Sequence, residues 1–287
     1  VTTQSQIEQI IDVALGEDLG RGDRTTELVI PQSMGGTAGI FAKEAAVVCG
    51  GEIARIAFMK VDQTLQVKIN VTDGGRVKAG EPVIMVTGRV SSILKAERVV
   101  LNFLSHLSGV ATATAQFVEK VKGLDVKISD TRKTLPGLRL VEKYAVYAAG
   151  GQNHRPDLAS GIIIKDNHLV ALAARGVSLA QAIAKAKEGA KGMKVEVEVQ
   201  NLEQLRQAIE GKPDIIMLDN MPVDEIKKAV KIVPPSIRLE ASGGITLENV
   251  RAVAETGVDV ISVGAITHSA RAIDFSLSFI TSRPPQP

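Results

Sequence analysis

From about residue 125 onward, short apolar runs recur along the chain, and this limits its fold more than any other feature. They are VKIS (126–129), GIIIK (161–165), KVEVEV (194–199), DIIMLD (214–219), IRLEAS (237–242) and DVISVG (259–264). Helical stretches separate several of them. Ser178 with Gln181, and Asn201 with Gln204, stand at capping-box spacing, and Thr246 suits an N-cap. These helices are expected to end near Gly189, Gly211 and Gly257. The last three runs start roughly 20–25 residues apart, the β/α alternation that builds a parallel sheet. The fold class read from this is α/β, with an open, incomplete (β/α) barrel of about six to seven strands.

The earlier part of the chain has another grammar. Ile7, Ile10, Ile11, Ala14 and Leu15 repeat at helical spacing, with Ser5 and Glu8 as a capping box and Gly16 as an end signal. Residues 37–90 are short β-rich segments broken by glycine, with room for a helix between Ala45 and Met59. Gln66, Lys68 and Asn70 alternate with Val67, Ile69 and Val71, as in a half-buried strand. ILKAERVVLNFLSHLSGVATATAQFVEKV reads as one or two helices with a break near Gly109. Two domains are therefore expected: 1–110, an N-terminal α+β sandwich, and 111–287, the barrel. A C-terminal helix would pack back on the first domain, ahead of a polar RPPQP tail.

Composition narrows the function. In 287 residues, 34 basic and 32 acidic side chains leave a formal charge of +2, which argues against a general nucleic-acid binder. With no Trp, two Tyr and six Phe, a base-stacking platform is also disfavoured. The single cysteine, Cys49, excludes an intrachain disulfide and a multi-cysteine zinc site. No apolar run approaches a membrane span and the first residues do not read as a signal peptide, so a cytoplasmic protein is expected.

In a β/α barrel, function collects at the C-terminal ends of the strands. Those ends carry Lys165, Glu198, Asp219, the Ser242-Gly243-Gly244 turn and Gly264. In KVEVEV the valines face one way, and Lys194, Glu196 and Glu198 the other. If the valines meet the outer helices, both glutamates point inward, where a carboxylate needs a partner or a cation. Glu196 suits neutralisation of a neighbouring lysine, and Glu198 a functional role. With Asp219, Glu198 could hold a hydrated Mg²⁺, which takes one or two carboxylates plus substrate phosphates. The glycine turns after the late strands suit phosphate, because bare backbone can approach it closely. Arg132, Lys133 and Arg139 in DTRKTLPGLR, with His154, Arg155, Lys165 and the earlier Arg98, suit a polyanionic ligand. His168 suits a helix cap or the core, and His106 and His268 structural or surface positions.

These residues also carry a resemblance. DTRKTLPGLRLVEKYAVYAAGG, NHRPDLASGIIIKDNH, VEVEVQNLEQL, IMLDN and EASGGI, in this order, resemble the quinolinate phosphoribosyltransferase family. EDLGRGDRTTELVIP and AERVVLNFLSHLSGVAT are similar to it too, so the likeness covers almost the whole chain. The SHL, AAGGQ and PDLASG segments depart from commoner forms but leave the charged positions in place. The resemblance implies transfer of the phosphoribosyl group of phosphoribosyl pyrophosphate (PRPP) to quinolinate. CO2 and pyrophosphate are lost and nicotinate mononucleotide forms, a step of NAD biosynthesis. It implies Lys133, Glu198 and Asp219 as catalytic residues. It implies Arg132, Lys133, His154, Arg155 and Lys165 around quinolinate and PRPP, and Glu198 and Asp219 facing the ribose and Mg²⁺. Ser242, Gly243, Gly244 and Gly264 would hold phosphate. It further implies a homodimer in which Arg98 is donated across the interface, with higher assemblies of dimers left open.

Three other readings compete. A nicotinate phosphoribosyltransferase needs fewer cations than the Arg98, Arg132, Lys133 and Arg155 set provides. A Schiff-base aldolase on Lys133 or Lys165 leaves the arginines unexplained. DGGRVKAGEPVIMVTG looks like a biotinyl or lipoyl carrier turn but lacks the modifiable lysine at a hairpin tip. No GxGxxG motif opens a helix after a strand, so a Rossmann nucleotide site has no support.

Overall fold

The computed structural model describes residues 3–280. The RPPQP tail lies outside them. The chain forms two compact units: residues up to Ala115 with Leu135–Gly150 and the segment from Ser269, and Gln116–Thr134 with Gly151–His268.

In the first unit, α1 (Thr3–Leu19) and α2 (Arg24–Val29) precede β1 (Gly35–Ala42). A short ribbon pairs β2 (Ala46–Val47) with β4 (Arg76–Val77), and between them lie α3 (Gly51–Val61) and β3 (Gln66–Ile69). β5 (Pro82–Arg89) leads into α4 (Val90–Lys120), most of which belongs to this unit. The unit also holds α5 (Arg139–Ala148) and β12 (Phe275–Phe279). The antiparallel sheet runs β12-β1-β5-β3. Asp73 Oδ1 accepts the Gly50 and Gly51 N–H groups and so caps α3, a helix the sequence placed only loosely.

Three sequence expectations change here. α1 runs through Gly16 to Leu19, so Ser5 stands inside the helix, and Gly20, at φ +42°, follows its end. α4 is unbroken across Gly109. The expected C-terminal helix is instead the strand β12, paired antiparallel with β1. By contact, α5 and β12 group with the first unit.

Gly109 serves close packing, not a break. A Cβ there would overlap the Arg271 carbonyl oxygen and crowd Ala272. This gives a prediction with a contested sign. Helix propensity alone favours Gly109→Ala by about 1 kcal/mol. Overlap with rigid backbone should outweigh that by roughly 2–3 kcal/mol, so the variant should melt lower than the parent in a thermal scan. A higher melting temperature would refute the packing account.

In the second unit all six expected runs are strands. They are β6 (Lys127–Ser129), β7 (Ile162–Ile164), β8 (Val195–Val199), β9 (Ile215–Asp219), β10 (Arg238–Ser242) and β11 (Val260–Ser262). They form one parallel sheet in the order β6-β11-β10-β9-β8-β7. Its two edge strands, β6 and β7, do not pair with each other, so the barrel is open. Gln152 extends the β6 edge through a parallel bridge to Ser129.

Between and after these strands lie α6 (Asp166–Ala173), α7 (Leu179–Gly189), α8 (Leu202–Glu210), α9 (Val223–Ile232), α10 (Val250–Ala254) and α11 (Ala265–His268). Ser178 caps α7 with Gln181 returning the bond, as its spacing predicted. Asn201 caps α8, but Gln204 reaches back to the Gln200 N–H and not to Asn201. Thr246 accepts from the Glu248 N–H in a turn ahead of α10, which itself starts after Asn249.

Candidate active site

Alternation along the strands decides which side chains meet inside the sheet's curve. On β8, Val195, Val197 and Val199 are fully buried. Glu196 and Glu198 take the other face. On β10, Leu239 and Ala241 share the valines' parity, and Glu240 and Ser242 share that of the glutamates. Residues of this inner parity line a cleft of about 550 Å³ at the C-terminal ends of the strands: Ile163, Lys165, Glu198, Met217, Asp219, Glu240 and Ser242. Loops add Thr131, Arg132, Lys133, His154, Arg155, Asp166, Asn220, Gly243 and Gly244.

Ten of the twelve expected site residues therefore meet in one cleft: Arg132, Lys133, His154, Arg155, Lys165, Glu198, Asp219, Ser242, Gly243 and Gly244. Gly264 is not among the lining residues. Its bare backbone makes room for the Lys133 stem, whose Cδ would stand 3.0 Å from a Cβ at that position. Arg98 lies in the first unit, exposed on α4.

The charges are fixed by local bonds. Lys165 Nζ donates to Glu198 Oε1. Arg155 Nη1 donates to the Gly161 carbonyl at 2.7 Å. Burial, then the nearby charge of Arg132, lowers the Arg155 pKa, while Glu196 and Glu198 oppose the shift. Two crowded guanidinium groups in a half-buried cleft form a seat that an anion relieves.

Lys133 is held by its main chain. Its N–H donates to Thr131 Oγ1 at 3.0 Å, and its carbonyl accepts from Thr267 Oγ1 at 2.7 Å. Asn220 Nδ2 donates to Asp219 Oδ2 at 3.0 Å. Gly243 and Gly244 follow β10 at φ +86° and +63°, and a Cβ on Gly243 would overlap the Asn220 side chain. Only glycine fits there, and its backbone stays open to a ligand. His168 Nδ1 accepts the Lys165 N–H at 2.9 Å, which makes His168 a helix cap.

The floor of the cleft was read only in part. Glu196 does not neutralise a lysine. His154 Nε2 lies 3.3 Å from Glu196 Oε2 and 3.5 Å from Glu240 Oε1. Burial raises the Glu196 pKa, and the charge of Glu240 adds to this against the hydrogen bond from His154. Glu240 was missed, although the alternation that exposed the two glutamates of KVEVEV runs equally through IRLEAS.

The ligating atoms of His154, Glu196 and Glu240 lie within 4.8 Å of one another, a spacing a metal ion could use. One bond argues against it: the Arg155 N–H donates to His154 Nδ1 at 2.8 Å. A metal on Nε2 would put the ring proton on Nδ1, facing that N–H. Two influences also compete for the ring's charge. Burial opposes a charge, but the two carboxylates outweigh it and push the pKa up to about 10. The trio is a charge-paired set, with the ring between two carboxylates.

An open parallel sheet with a cationic cleft and a bare glycine turn over its C-terminal edge defines a class of α/β enzyme that handles phosphorylated, polyanionic substrates. Comparison with known proteins makes this specific. Residues 23–108 match the family model for the N-terminal domain of quinolinate phosphoribosyl transferase, and 110–278 that for its C-terminal domain. The chain is 41% identical to a probable nicotinate-nucleotide pyrophosphorylase [carboxylating] of Bacillus subtilis, over 96% of this chain and 94% of that one. It is 38% identical to a mitochondrial quinolinate phosphoribosyltransferase [decarboxylating] of Nicotiana glauca, over 96% and 82%. The solved nicotinate-nucleotide pyrophosphorylase of Francisella tularensis superposes with a TM-score of 0.90 at 40% identity, covering 98% of both chains. The chain belongs to the quinolinate phosphoribosyltransferase family. The fold alone reaches further, to human nicotinic acid phosphoribosyltransferase at 14% identity and a TM-score of 0.61, over 96% of this chain and 74% of that one.

Proposed function

We propose that the protein joins quinolinate to the ribose of PRPP with loss of pyrophosphate and CO2, giving nicotinate mononucleotide for NAD synthesis. The observation that carries this reading is the gathering of Arg132, Lys133, Arg155 and Lys165 with Glu198, Asp219 and the Gly243-Gly244 turn in one cleft. Quinolinate brings two adjacent carboxylates, and PRPP a phosphate and a pyrophosphate. Fixed arginines and lysines answer that charge, arginine with a bidentate fork.

The pyridine nitrogen attacks C1′ of the ribose as the bond from C1′ to pyrophosphate breaks. Positive character develops on the ribose, and Glu198, which lines the cleft, is the carboxylate assigned to stabilise it. Lys133 and the bare glycine backbone take up charge on the phosphates. The ring nitrogen is then quaternary. It accepts the electron pair as the bond from C2 to the carboxylate breaks, and C2 takes a proton. No covalent enzyme intermediate is required.

Glu198 and Asp219, two hard oxygen donors in one cleft, fit Mg²⁺, which would complete its shell with water and phosphate oxygens. When bound, the ion supplies charge stabilisation to the leaving pyrophosphate. The same reading includes a homodimer: Arg98 is exposed on the first unit, and the partner's Arg98 would add a further cation for the dicarboxylate. Mixing inactive Arg98→Ala and Lys133→Ala chains should restore activity through hybrid sites. Recovery no greater than the sum of the separate chains would refute sharing. Among the described residues no helix is long and apolar enough to cross a membrane. With a lone, buried Cys49, we place the protein in the cytoplasm, checked by cell fractionation.

The deciding assay supplies quinolinate, PRPP and Mg²⁺ and follows nicotinate mononucleotide by mass, with nicotinate replacing quinolinate as control. Product from quinolinate alone is expected, and chelation of Mg²⁺ should abolish it. Product from nicotinate alone would overturn the reading.

A further inference from the structure

The two acids at the strand ends of the cleft are held in different ways. Glu198 accepts from the ammonium of Lys165. Asp219 accepts from a neutral amide, Asn220 Nδ2, at 3.0 Å, and among the described residues no other group donates to its side chain. An aspartate at the end of a strand turns easily about its Cβ–Cγ bond, because that torsion has a broad, two-fold profile. One donor on one carboxylate oxygen restrains the rotation. An amide does so without cancelling the charge, and the second oxygen stays open for a cation or a ribose hydroxyl.

Asn220 is itself fixed in three ways. Its N–H donates to the Ser242 carbonyl at 2.8 Å, one residue past the last pair between β9 and β10, Asp219 with Ser242. Its backbone lies at φ +54°, in the left-handed region that asparagine tolerates better than most residues. Its side chain lies against Gly243, where a Cβ would stand 2.3 Å from Asn220 Oδ1 and 2.7 Å from Nδ2. The missing Cβ thus leaves the space that the amide fills. The sense of the amide follows from chemistry: a carboxylate only accepts, so Nδ2 and not Oδ1 faces Asp219.

We infer that Asn220 is a positioning residue, which turns the Asp219 carboxylate toward the ribose and pyrophosphate end of PRPP. The inference rests on the proposed reaction for the identity of that ligand. The backbone at this position needs only a residue that accepts a positive φ, and glycine does so without strain. Glycine has no amide to donate. Without that bond Asp219 rotates, and PRPP is held less tightly. Among the described residues Asn220 makes no bond to Arg132, Arg155 or Lys165, so binding of the dicarboxylate should not follow.

The test has two arms. The first compares the parent with Asn220→Gly, a change that the local backbone accepts. Calorimetric titration with PRPP in Mg²⁺ should show the Kd raised about fivefold or more, as expected for a lost hydrogen bond to a charged group. The KM for quinolinate should stay within about twofold. A PRPP Kd within about twofold of the parent value overturns the inference. An equal rise for both substrates marks a general disturbance of the cleft and overturns it too. The second arm separates action through Asp219 from direct contact with the ligand. In an Asp219→Asn background, adding Asn220→Gly should change the PRPP Kd by less than about twofold, since the carboxylate to be oriented is gone. Additive losses would show that Asn220 acts on its own, against the inference. If the parent binds PRPP but makes no product from quinolinate, the reaction assignment fails while the calorimetric arms still decide the role of Asn220. A parent that does not bind PRPP overturns both.

Discussion

Glu198→Gln is expected to lower kcat by roughly 100-fold or more, with a smaller change in the KM for PRPP. The substitution keeps the side chain's size, and β8 is held on both sides by β7 and β9, so the strand should not move. What disappears is one negative charge at the C-terminal end of the strand. If that charge matters most when the ribose becomes positive, its loss falls on the transition state and not on ground-state binding. The amide also leaves Lys165 without its carboxylate, since Lys165 Nζ donates to Glu198 in the resting cleft. A double-mutant cycle with Lys165→Met separates the two effects: coupling shows how much of the loss belongs to the pair. A Glu198→Gln enzyme retaining kcat to within about threefold would remove Glu198 from the mechanism.

Lys133→Ala should cost a comparable factor, about 100-fold in kcat/KM. Its main chain is tied to Thr131 and Thr267, so truncation removes the ammonium and stem without freeing the loop. Lys133→Arg should recover only part of the activity, because the bulkier head must travel along a stem confined by Gly264. Gly264→Ala should act in the same direction more weakly, as the new methyl would lie 3.0 Å from the Lys133 Cδ. Steady-state kinetics on the three variants check the order. Near-parental kcat/KM in Lys133→Ala would show that the cleft holds its anions without this residue.

Much of the second unit was legible along the chain. Strands with a buried face have a strict period of two, and the valines of KVEVEV obey it down to full burial. That period put both glutamates on the inner face before any partner was known. The same argument applied to IRLEAS would have added Glu240. The chain was least legible where a local signal has two meanings. Gly16 and Gly109 read as helix ends, yet both lie inside helices. At Gly109 the reason is a neighbouring carbonyl from Arg271, 162 positions away along the chain, which no local pattern reveals.

By itself, the sequence determined the strand positions, the inward parity of the acids and the supply of arginines and lysines near the strand ends. These follow from backbone periodicity and from the cost of burying charge, and both act within a few residues. Only the tertiary structure decided that β12 would complete the first unit's sheet and that Glu196 and Glu240 would share one histidine. Each of these depends on register between strands. Such partners are brought together by packing, at sequence separations over which local propensity carries no information.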